Sequence, residues 1–376
     1  MPAVNSVLVV GGGAAGAATA ILLAEAGVAV DLVEVKPDVS GVGSGISLQG
    51  NALRVLRQLG VWDAVHAAGY GFDSIALRAP DPAGTLIVEM PDARTGGPDL
   101  PSGMGMPRAD LARILLDRAA EVGVKIRMGT TYTALTQDAD GVDITFADGA
   151  TGRYDLVVGA DGIRSWTRRM LGVRLETRST GMGIWRVFTE RPASVFRTEL
   201  IYGGPAYIAG FCPTSENSLY AYLVEDAQDR STLTPEEQLA TMRALAEAYH
   251  GPWDDIRALM DDPTRVNYTW FETHLLEGDW HRGRVVLIGD AAHSCPPTLA
   301  QGAAQALEDA AVLAELLLAA PQLDDEVWAA FTARRFERAK AVVEASVQLG
   351  QWMLDHERGD VPGLMGRIGA LVSRPA

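Results

Sequence analysis

The chain opens with a short apolar run, a stretch of small residues and a second apolar run. Residues 6–10 are apolar after a single serine and predict a buried strand, whereas residues 14–27 are rich in Ala and Leu and predict a helix. Residues 28–35 predict a second strand. Because a strand, a helix and a strand in this order form a βαβ unit, the pattern predicts an α/β domain that starts almost at the first residue.

Further apolar and amphipathic segments continue this α/β character and return near the C-terminus. Before residue 160, helices are predicted at 51–67 and 108–122, and strands at 124–128, 131–136, 142–147 and 153–159. After residue 280, a buried strand is predicted at 284–288, followed by two long closing helices at 302–320 and 324–354.

The middle of the chain has a different pattern. Between residues 181 and 225, apolar and aromatic residues alternate with others and are separated by Gly- and Pro-rich turns, which predicts antiparallel sheet. A helix is predicted at 235–250. We therefore predict two domains: a discontinuous nucleotide-binding domain with C-terminal helices, and an inserted antiparallel β-sheet substrate domain. The predicted ranges are 1–75, 105–180 and 275–376 for the first, and 76–104 and 181–274 for the second.

Composition and charge exclude several classes of protein. The formal net charge of −16 argues against a nucleic-acid partner and means that an anionic ligand needs a local positive site. The two cysteines, Cys212 and Cys295, are too few for a disulfide framework or a cysteine-based metal site, and we expect both to be small buried residues and no metal to be bound. No apolar run approaches the roughly 20 residues that span a bilayer, so we expect no membrane association and a cytoplasmic protein.

A glycine-rich turn joins the first strand to the first helix. Gly11, Gly13 and Gly16 have the spacing G-x-G-x-x-G. Gly11 permits the tight turn, Gly13 lets the backbone approach a pyrophosphate, and Gly16 lets helix and strand pack closely. The start of the helix at Ala14 and Ala15 supplies free N–H groups and the positive end of the helix dipole to the phosphates.

Glu34 ends the second strand, 18 residues after Gly16. A carboxylate at this place can accept hydrogen bonds from a ribose diol and would repel a 2′-phosphate. FAD and NAD both fit this first motif.

A second motif distinguishes the two cofactors. Gly289-Asp290 follows the strand 284–288 directly, and an Asp at this end of a strand can hold the hydroxyls of a ribityl chain, which FAD has and NAD lacks. The next helix begins near Gly302 and Ala304, and its N-terminus would face the pyrimidine edge of the flavin, which becomes anionic on reduction. We therefore predict non-covalently bound FAD.

Three motifs in order carry a resemblance to a known family. They are the glycine turn, the segment Asp161-Gly162-Ile163-Arg164-Ser165, and Gly289-Asp290-Ala291-Ala292-His293. The chain resembles the group A flavoprotein monooxygenases, of the para-hydroxybenzoate hydroxylase and salicylate hydroxylase type. The resemblance covers nearly the whole chain and is specific for the family, not for the substrate.

The resemblance implies a role for residues of each motif. Glu34 would bind the FAD ribose and Asp290 the ribityl chain, while Asp161 and Gly162 would lie near the pyrophosphate at a place also linked to NAD(P)H. Arg108 matches an arginine that starts a helix and contacts FAD.

The segment after the second motif would border the flavin ring. Pro297 would line the space between flavin and substrate, and the amides of Ala303 and Ala304 would face flavin O2, while His293 would be a structural neighbour. Two positions depart from the family pattern, because Leu299 stands where Gly is common and Ala304 where Asn is common. These departures put the shape of the loop in question.

Candidate substrate residues lie in the predicted sheet domain. Arg186 could pair with a carboxylate or phenolate of the substrate, or be an ordinary salt-bridge partner. Tyr207, Phe211 and Tyr222 could line an aromatic pocket, or belong to the core. No residue can be named as the catalytic base.

For function, the resemblance implies that NADH or NADPH reduces FAD, and that O2 then gives a flavin C4a-hydroperoxide that hydroxylates a small aromatic or heteroaromatic ring such as a phenol or hydroxypyridine. It also implies a homodimer. The alternatives are an FAD-dependent halogenase or reductase of the same fold, a hydroxylase of a larger polycyclic substrate, and a non-enzymatic FAD-binding redox sensor. The Trp-x-Trp-x-Ile-Pro segment usual in halogenases is absent from the sequence.

Overall fold

The structure, a computed structural model, describes residues 2–39 and 45–376. The helices in these ranges are α1 (Ala14–Glu25), α2 (Gly50–Gln58), α3 (Trp62–Ala68), α4 (Arg108–Glu121), α5 (Trp166–Met170), α6 (Pro235–Ala246), α7 (Pro252–Ala258), α8 (Gly302–Ala319), α9 (Asp325–Leu354) and α10 (Val361–Ser373).

The strands fall into four sheets. In chain order they are β1 (Ser6–Val10), β2 (Ala29–Glu34), β3 (Gly45–Gln49), β4 (Tyr70–Phe72), β5 (Ser74–Arg78), β6 (Leu86–Pro91), β7 (Gly103–Pro107), β8 (Lys125–Met128), β9 (Tyr132–Gln137), β10 (Val142–Phe146), β11 (Thr151–Tyr154), β12 (Leu156–Gly159), β13 (Arg178–Glu190), β14 (Thr198–Tyr202), β15 (Ile208–Pro213), β16 (Ser218–Asp226), β17 (Val266–Leu275), β18 (His281–Arg282), β19 (Val285–Leu287) and β20 (His293–Ser294).

A six-stranded sheet with the order β18-β19-β12-β1-β2-β8 forms the centre of the first half. Its strands pair in parallel except β18, and β1 lies between β12 and β2. The apolar side chains of β1 are buried. The small residues of α1 let α8 pack closely against α1. The carboxyl ends of β1, β2, β12 and β19 therefore meet at one edge, where ligands bind in open α/β sheets.

An eight-stranded sheet with the order β20-β17-β13-β16-β15-β14-β5-β6 forms the second half. Its pairs are antiparallel except for β14 with β5. One face packs against α6 and α7 through a cluster that includes Trp185 and Trp253. The opposite face, called here the cleft face, carries Tyr220 and Cys212, and it meets β3 and β7 so closely that a β-carbon on Gly45 would lie 2.6 Å from Cβ of Tyr220.

This architecture confirms the predicted fold class, a Rossmann-like α/β unit with an antiparallel sheet and C-terminal helices. The strand β6 and most of β5 come from the segment 76–104 and join the larger sheet, although β5 begins at Ser74, two residues before the predicted boundary. The domain boundaries themselves stay a prediction. In residues 2–39 and 45–376, no helix is both long and apolar enough to cross a membrane.

Three predicted elements differ from the structure, and the helix α10 was not predicted. The helix predicted at 51–67 is divided into α2 and α3 by Gly60, whose φ is +71°. The helix predicted at 235–250 ends at 246, shortly before Gly251 at φ +73°. The strand predicted at 153–159 is two strands in different sheets, separated by Asp155, whose carboxylate accepts the amide of Asn5 at 2.6 Å.

The fourth difference is at the C-terminus, where the prediction ended with two helices. The structure adds α10, which buries Leu364, Ile368 and Val372 at a spacing of four residues against α9. This periodicity was present in the sequence, but three glycines in the helix, Gly363, Gly366 and Gly369, weaken the signal because glycine disfavours a helix interior.

Candidate functional site

The glycine turn is tight on one side and open on the other. Gly11 has φ +108°, and a β-carbon there would lie 2.3 Å from the carbonyl oxygen of Ala160; one on Gly16 would lie 1.9 Å from the carbonyl oxygen of Gly11. A β-carbon on Gly13 would have no atom within 4 Å. Gly11 and Gly16 are therefore required by packing, whereas Gly13 borders open space at the start of α1, where Ala14 and Ala15 begin a first turn without acidic residues.

Glu34 lies at the end of β2, beside the same turn. Its carboxylate accepts the amide of Gly12 at 2.7 Å and the amide of Lys36 at 2.9 Å. These two bonds hold the carboxylate next to the glycine turn, at the place where the sequence predicts recognition of a ribose.

The segment after β12 is held by its own aspartate. Asp161 accepts a hydrogen bond from the Ser165 hydroxyl at 2.5 Å and from the amide and hydroxyl of Thr167 at 2.7 and 2.9 Å. Gly162 has φ +79° and borders open space. The Asp161 side chain is thus directed at the start of α5, and the backbone of Gly162 is the part that faces the open side. Arg164 instead pairs with Glu272 at 3.0 Å and is largely exposed.

The third motif is joined to both of the others. Gly289 has φ +57°, and a β-carbon there would lie 3.0 Å from Cβ of Ala15. Arg168, which follows the Asp161 segment, donates to the carbonyl of Ala291 at 2.8 Å and to that of Ile163 at 2.8 Å. The three motifs, far apart along the chain, therefore converge at one edge of the parallel sheet.

Asp290 and Arg108 mark a deep cleft at this edge. Both have solvent-accessible surface, yet burial is the largest influence on each, raising the pKa of Asp290 and lowering that of Arg108. Accessible surface and strong desolvation agree only if the two side chains line a recess surrounded by protein. Arg108, at the start of α4, donates to the carbonyl of Gly45 at 3.2 Å and feels the charges of Asp290 and Arg186.

The segment before α8 turns toward the same cleft. Pro297 is exposed and begins a 3₁₀ turn, and Ala300 adopts a left-handed conformation with φ +51°. A β-carbon on Gly302 would meet no atom within 4 Å, and the first turn of α8 carries no acidic residue. Its first amides, at Ala303 and Ala304, have no acceptor earlier in the helix and so can receive a negative charge.

The two departures from the family pattern are accommodated by packing. Leu299 is buried among side chains of α9 and α10, including Val342 and Leu364, and so points away from the cleft. Ala304 is also buried, at 1% exposure. The loop is therefore filled without the usual glycine and asparagine.

These features fit FAD. Gly13, Gly162 and Gly302 all border open space, and two helix N-termini offer unpaired amides at separate positions. The carboxylates of Glu34 and Asp290 supply acceptors for sugar and ribityl hydroxyls. These donors and acceptors match a long ligand that has phosphates in its middle, hydroxyl groups on both sides of them, and a ring at one end that accepts electrons.

Arg186 lies on the cleft face of the large sheet. Its Nε donates to the Tyr220 hydroxyl at 3.1 Å and its Nη1 donates to the Thr269 hydroxyl. In the part of the chain that the structure describes, Nη2 has no hydrogen-bond partner and Arg186 has no ion pair. The interpretation of Arg186 as an ordinary salt-bridge partner therefore has no support from the described residues.

Tyr222 lies beside Arg186 on the neighbouring strand. Its ring lies flat over β15, because a β-carbon on Gly210 would stand 2.5 Å from its Cζ and hydroxyl oxygen. Its centroid is 5.3 Å from that of Tyr220. Burial, followed by the neighbouring Tyr220, Cys212 and Tyr202, raises the pKa of Tyr222 well above its usual value, so its hydroxyl stays protonated.

The other two proposed pocket aromatics lie on opposite faces of the sheet. Phe211 is fully buried on the face that packs against α6 and α7, where its ring centroid is 6.4 Å from that of Trp253, so the prediction that it lines the pocket is wrong. Residues two apart on a strand share a face, and the odd-numbered positions of β15 face these helices. Tyr207 precedes β15, packs against the same apolar cluster as Tyr222, and donates to Asp226 at 2.7 Å, so its place in the pocket stays a prediction.

Sequence reasoning missed a buried polar network beneath the cleft. Asp309 on α8 accepts from the amide of Gly289 at 2.8 Å, lies 2.7 Å from Nε2 of His293, and accepts from Nε of Arg335 at 2.7 Å. Glu308 accepts from Arg335 and from Arg338 in the same region. Two consecutive carboxylates in a stretch of α8 that is mostly apolar were the available signal. The expectation that His293 is a structural neighbour agrees with this position.

Comparison with known proteins identifies the family. Residues 5–346 match the family model described as FAD binding domain. The chain is 34% identical over 356 residues to the 2-heptyl-3-hydroxy-4(1H)-quinolone synthase of Pseudomonas aeruginosa, covering 92% of this chain and 90% of that one. It is 30% identical over 383 residues to the 6-hydroxynicotinate 3-monooxygenase of Bordetella bronchiseptica, covering 94% and 93%.

A solved structure extends the match to three dimensions. The tetrameric form of 2-methyl-3-hydroxypyridine-5-carboxylic acid oxygenase superposes with a TM-score of 0.80 at 26% identity, over 98% of this chain and 96% of that one. The chain belongs to the FAD binding domain family, that of the group A flavoprotein monooxygenases. It is an FAD-dependent monooxygenase, which confirms the predicted enzyme class and cofactor.

Proposed function

We propose that this enzyme hydroxylates a planar heteroaromatic ring with an anionic oxygen, using NADH or NADPH and O2, and that the ring binds between Pro297 and the cleft face at Arg186 and Tyr222. The observation that supports this most directly is the position of Arg108, which donates to the carbonyl of Gly45 at 3.2 Å, while Gly45 lies directly against Tyr220. The Tyr220 hydroxyl in turn accepts from Arg186 at 3.1 Å. The charge of Asp290, in the cofactor loop of residues 289–293, also acts on Arg108. The cofactor loop and the cleft face therefore border one recess.

The residues that would hold FAD follow from the geometry of the three motifs. The open turn at Gly13 and the start of α1 would bind the pyrophosphate, Glu34 the ribose and Asp290 the ribityl chain. The amides at the start of α8, Ala303 and Ala304, would face the flavin ring. Bound there, FAD would supply hydride uptake from the nicotinamide and activation of O2.

Arg186 would hold the anionic oxygen of the substrate. Two of its nitrogens are fixed by Tyr220 and Thr269, so the guanidinium is oriented before a ligand arrives and Nη2 is left to donate. Because electron-rich rings accept electrophilic oxygen most readily, a group that favours a ring oxyanion also favours the reaction. Tyr222, which stays protonated, would donate a further hydrogen bond or pack flat on the ring.

A local positive site is required by the charge of the whole protein. The chain has a net charge of −16, which repels an anionic substrate at long range. Arg108 and Arg186 bring two guanidinium groups to the cleft and supply positive charge there. A heteroaromatic oxyanion is the ligand that this arrangement fits best.

Turnover with a panel of rings tests the proposal. The purified protein would be examined for a bound flavin spectrum, and oxidation of NADH and of NADPH would be followed with 6-hydroxynicotinate, a 4(1H)-quinolone, a hydroxybenzoate and the matching O-methyl ethers, whose ring oxygen cannot ionise. We expect one ring with an ionisable oxygen to accelerate oxidation and to gain one oxygen atom by mass spectrometry. Equal stimulation by a ring and its O-methyl ether would contradict the role of Arg186.

The same experiment separates the alternatives. Product formation only with halide and supplied reduced flavin would indicate a halogenase, and reduction of the ring without oxygen incorporation would indicate a reductase. Response only to large polycyclic compounds would indicate a larger substrate. Bound flavin with no stimulation by any ring would favour a redox sensor.

Two further expectations stay predictions. A cytoplasmic location agrees with the use of NAD(P)H, and fractionation of cells expressing the protein tests it. A homodimer is expected by family resemblance, although the solved relative is described as tetrameric, and light scattering on the purified protein distinguishes the two.

A further inference from the structure

The carboxylate of Asp309 contacts three groups at once, two in the loop of residues 289–293 and one on α9. It accepts the amide of Gly289 at 2.8 Å, lies 2.7 Å from the His293 imidazole, and pairs with Arg335 of α9 at 2.7 Å. Asp309 and Arg335 are both completely buried. Gly289 immediately precedes Asp290, and His293 follows it by three residues, so Asp309 holds the cofactor loop on both sides of Asp290.

Stability alone does not explain such a group. Burial raises the pKa of Asp309, but the charges of His293 and Arg335 outweigh burial and hold the pKa at about 2. The carboxylate is therefore ionised inside the protein. Buried ion pairs contribute little net stability compared with apolar side chains of the same size, so a buried charge at this place calls for a structural purpose that an apolar residue could not serve.

We propose that Asp309 is a positioning residue for FAD: it fixes the backbone of Gly289 and the ring of His293 so that the Asp290 carboxylate is directed into the cofactor cleft. This inference rests on the proposed contact between Asp290 and FAD. Gly289 needs the help of a fixed acceptor because its left-handed conformation, φ +57°, leaves its amide outside the helix and strand bonds around it.

The same network also reaches the start of α8, the other segment that faces the cleft. Glu308, adjacent to Asp309, accepts from Arg335 at 3.1 Å and from the Asn51 amide at 3.1 Å. Asn51 also donates to Gln301 at 3.0 Å, the residue before Gly302 and the start of α8. One buried network thus supports both segments that face the cleft, and Arg335 connects them to α9.

A substitution at Asp309 tests the inference, and a substitution in an exposed ion pair between the same two helices is its control. Asp309→Asn keeps the shape but removes the charge, and Glu315→Gln alters the exposed pair of Glu315 with Arg334, which joins the same two helices at 2.8 Å. FAD affinity of the apoprotein would be measured by flavin fluorescence, together with Tm without FAD and with saturating FAD. Comparing the two Tm values separates loss of FAD binding from general loss of stability, because a ligand stabilises according to its affinity for the folded state.

We expect Asp309→Asn to raise the Kd for FAD about 10- to 100-fold and to reduce the increase in Tm that FAD produces. We expect Glu315→Gln to leave both values as in the parent protein. If Asp309→Asn does not fold, His293→Phe decides the question, since it keeps a ring against Trp280, whose centroid lies 4.9 Å away, and leaves the pair of Asp309 and Arg335 intact. The His293→Phe variant should also raise the Kd for FAD.

Two results would overturn the inference, and they differ in what else they affect. A lower Tm of the apoprotein with an unchanged Kd would assign Asp309 to folding alone, provided that Asp290→Ala still weakens FAD binding. An unchanged Kd in Asp290→Ala would instead remove the proposed contact of Asp290 with FAD, on which the inference depends.

Discussion

Gly289 faces Ala15 so closely that a β-carbon added to Gly289 would lie 3.0 Å from Cβ of Ala15. These residues are separated by most of the chain, yet they bring the cofactor loop against the first turn of α1. Because such a separation is tighter than nine in ten contacts of real β-carbons, a side chain at position 289 would require one of the two segments to shift by a few tenths of an ångström.

Gly289→Ala should therefore weaken FAD binding. The substitution combines a left-handed conformation with a close contact, and we expect a cost of about 1 to 3 kcal/mol, divided between stability and FAD affinity. Gly172→Ala is the matched control, because Gly172 also has positive φ, at +70°, but its β-carbon would approach only Arg282, at 3.7 Å. Denaturant unfolding and FAD titration of both variants measure the difference. Equal losses of FAD affinity would show that strain at a glycine, and not the contact, is responsible.

Gly13→Val should block FAD without unfolding the protein. Gly13 has an extended conformation with φ −74°, and its β-carbon would meet no protein atom within 4 Å, so the valine fits the protein but occupies the proposed space of the pyrophosphate. We expect purified Gly13→Val to be colourless, with circular dichroism as in the parent protein. Gly366→Val, at an open glycine of α10, is the control and should keep its flavin. If purified Gly13→Val is yellow, the pyrophosphate of FAD does not bind at Gly13.

Asp290→Ala should raise the Kd for FAD by about 10-fold or more, as loss of hydrogen bonds to a charged acceptor typically does. Burial already raises the pKa of Asp290, so removing this carboxylate should not lower the stability of the apoprotein. Isothermal titration with FAD, beside unfolding of the apoprotein, checks both parts. A Kd equal to that of the parent protein would contradict the assignment of the ribityl contact.

The cofactor half could be predicted because its signals are local. The glycine turn, Glu34 and Asp290 each stand at the end of a strand, and strand ends of a parallel sheet meet at one edge. The sequence therefore predicted three converging segments without any knowledge of long-range contacts. It did not predict that Asp161 turns its carboxylate to α5, because this depends on a hydroxyl four residues later.

The substrate half could be predicted only in part. Alternation along β15 and β16 identified two strands but not which face of the sheet borders the cleft, so Tyr222 of β16 was proposed together with Phe211 of β15, although they lie on opposite faces. The pair of Asp309 and Arg335 could not be predicted at all, because the two residues are 26 positions apart on different helices and meet only when α9 packs on α8. Faces and helix pairs are fixed by tertiary packing, which local patterns do not contain.

Arg186→Gln should impair catalysis with anionic rings and leave FAD in place. Loss of a charged hydrogen bond typically costs about 1.5 to 3 kcal/mol, so we expect kcat/KM to fall roughly 10- to 100-fold, mainly through KM. Tyr222→Phe should have a smaller effect in the same direction. Phe211→Leu, on the opposite face, is the control and should lower Tm without changing KM. Steady-state kinetics would be measured with the compound of the panel that gives the highest turnover. An unchanged KM in Arg186→Gln would mean that the substrate anion does not bind at Arg186.

His274 should make stability depend on pH between about 4 and 6.5. It lies on β17 with Nδ1 3.0 Å from the Ser294 hydroxyl and Nε2 3.4 Å from Arg168. Burial, then the charges of Arg168 and His293, lower its pKa from 6.5 to about 4. Between these values the unfolded chain binds a proton that the folded protein does not. The contribution of His274 is therefore fully present above pH 6.5 and is lost as the pH falls toward 4, by at most about 3.4 kcal/mol.

His274→Gln removes this titration but keeps a side chain that can hydrogen-bond to Ser294. We expect its free energy of unfolding, measured with urea at constant FAD, to fall less steeply than that of the parent protein as the pH is lowered through this range. His66→Gln on α3 is the control for the loss of an imidazole as such, because His66 is exposed. The slope is the decisive quantity, since loss of packing would lower stability equally at every pH, whereas loss of a buried neutral imidazole changes the number of protons taken up on unfolding. A slope in His274→Gln equal to that of the parent protein would mean that His274 accepts its proton in the folded state as readily as in the unfolded chain.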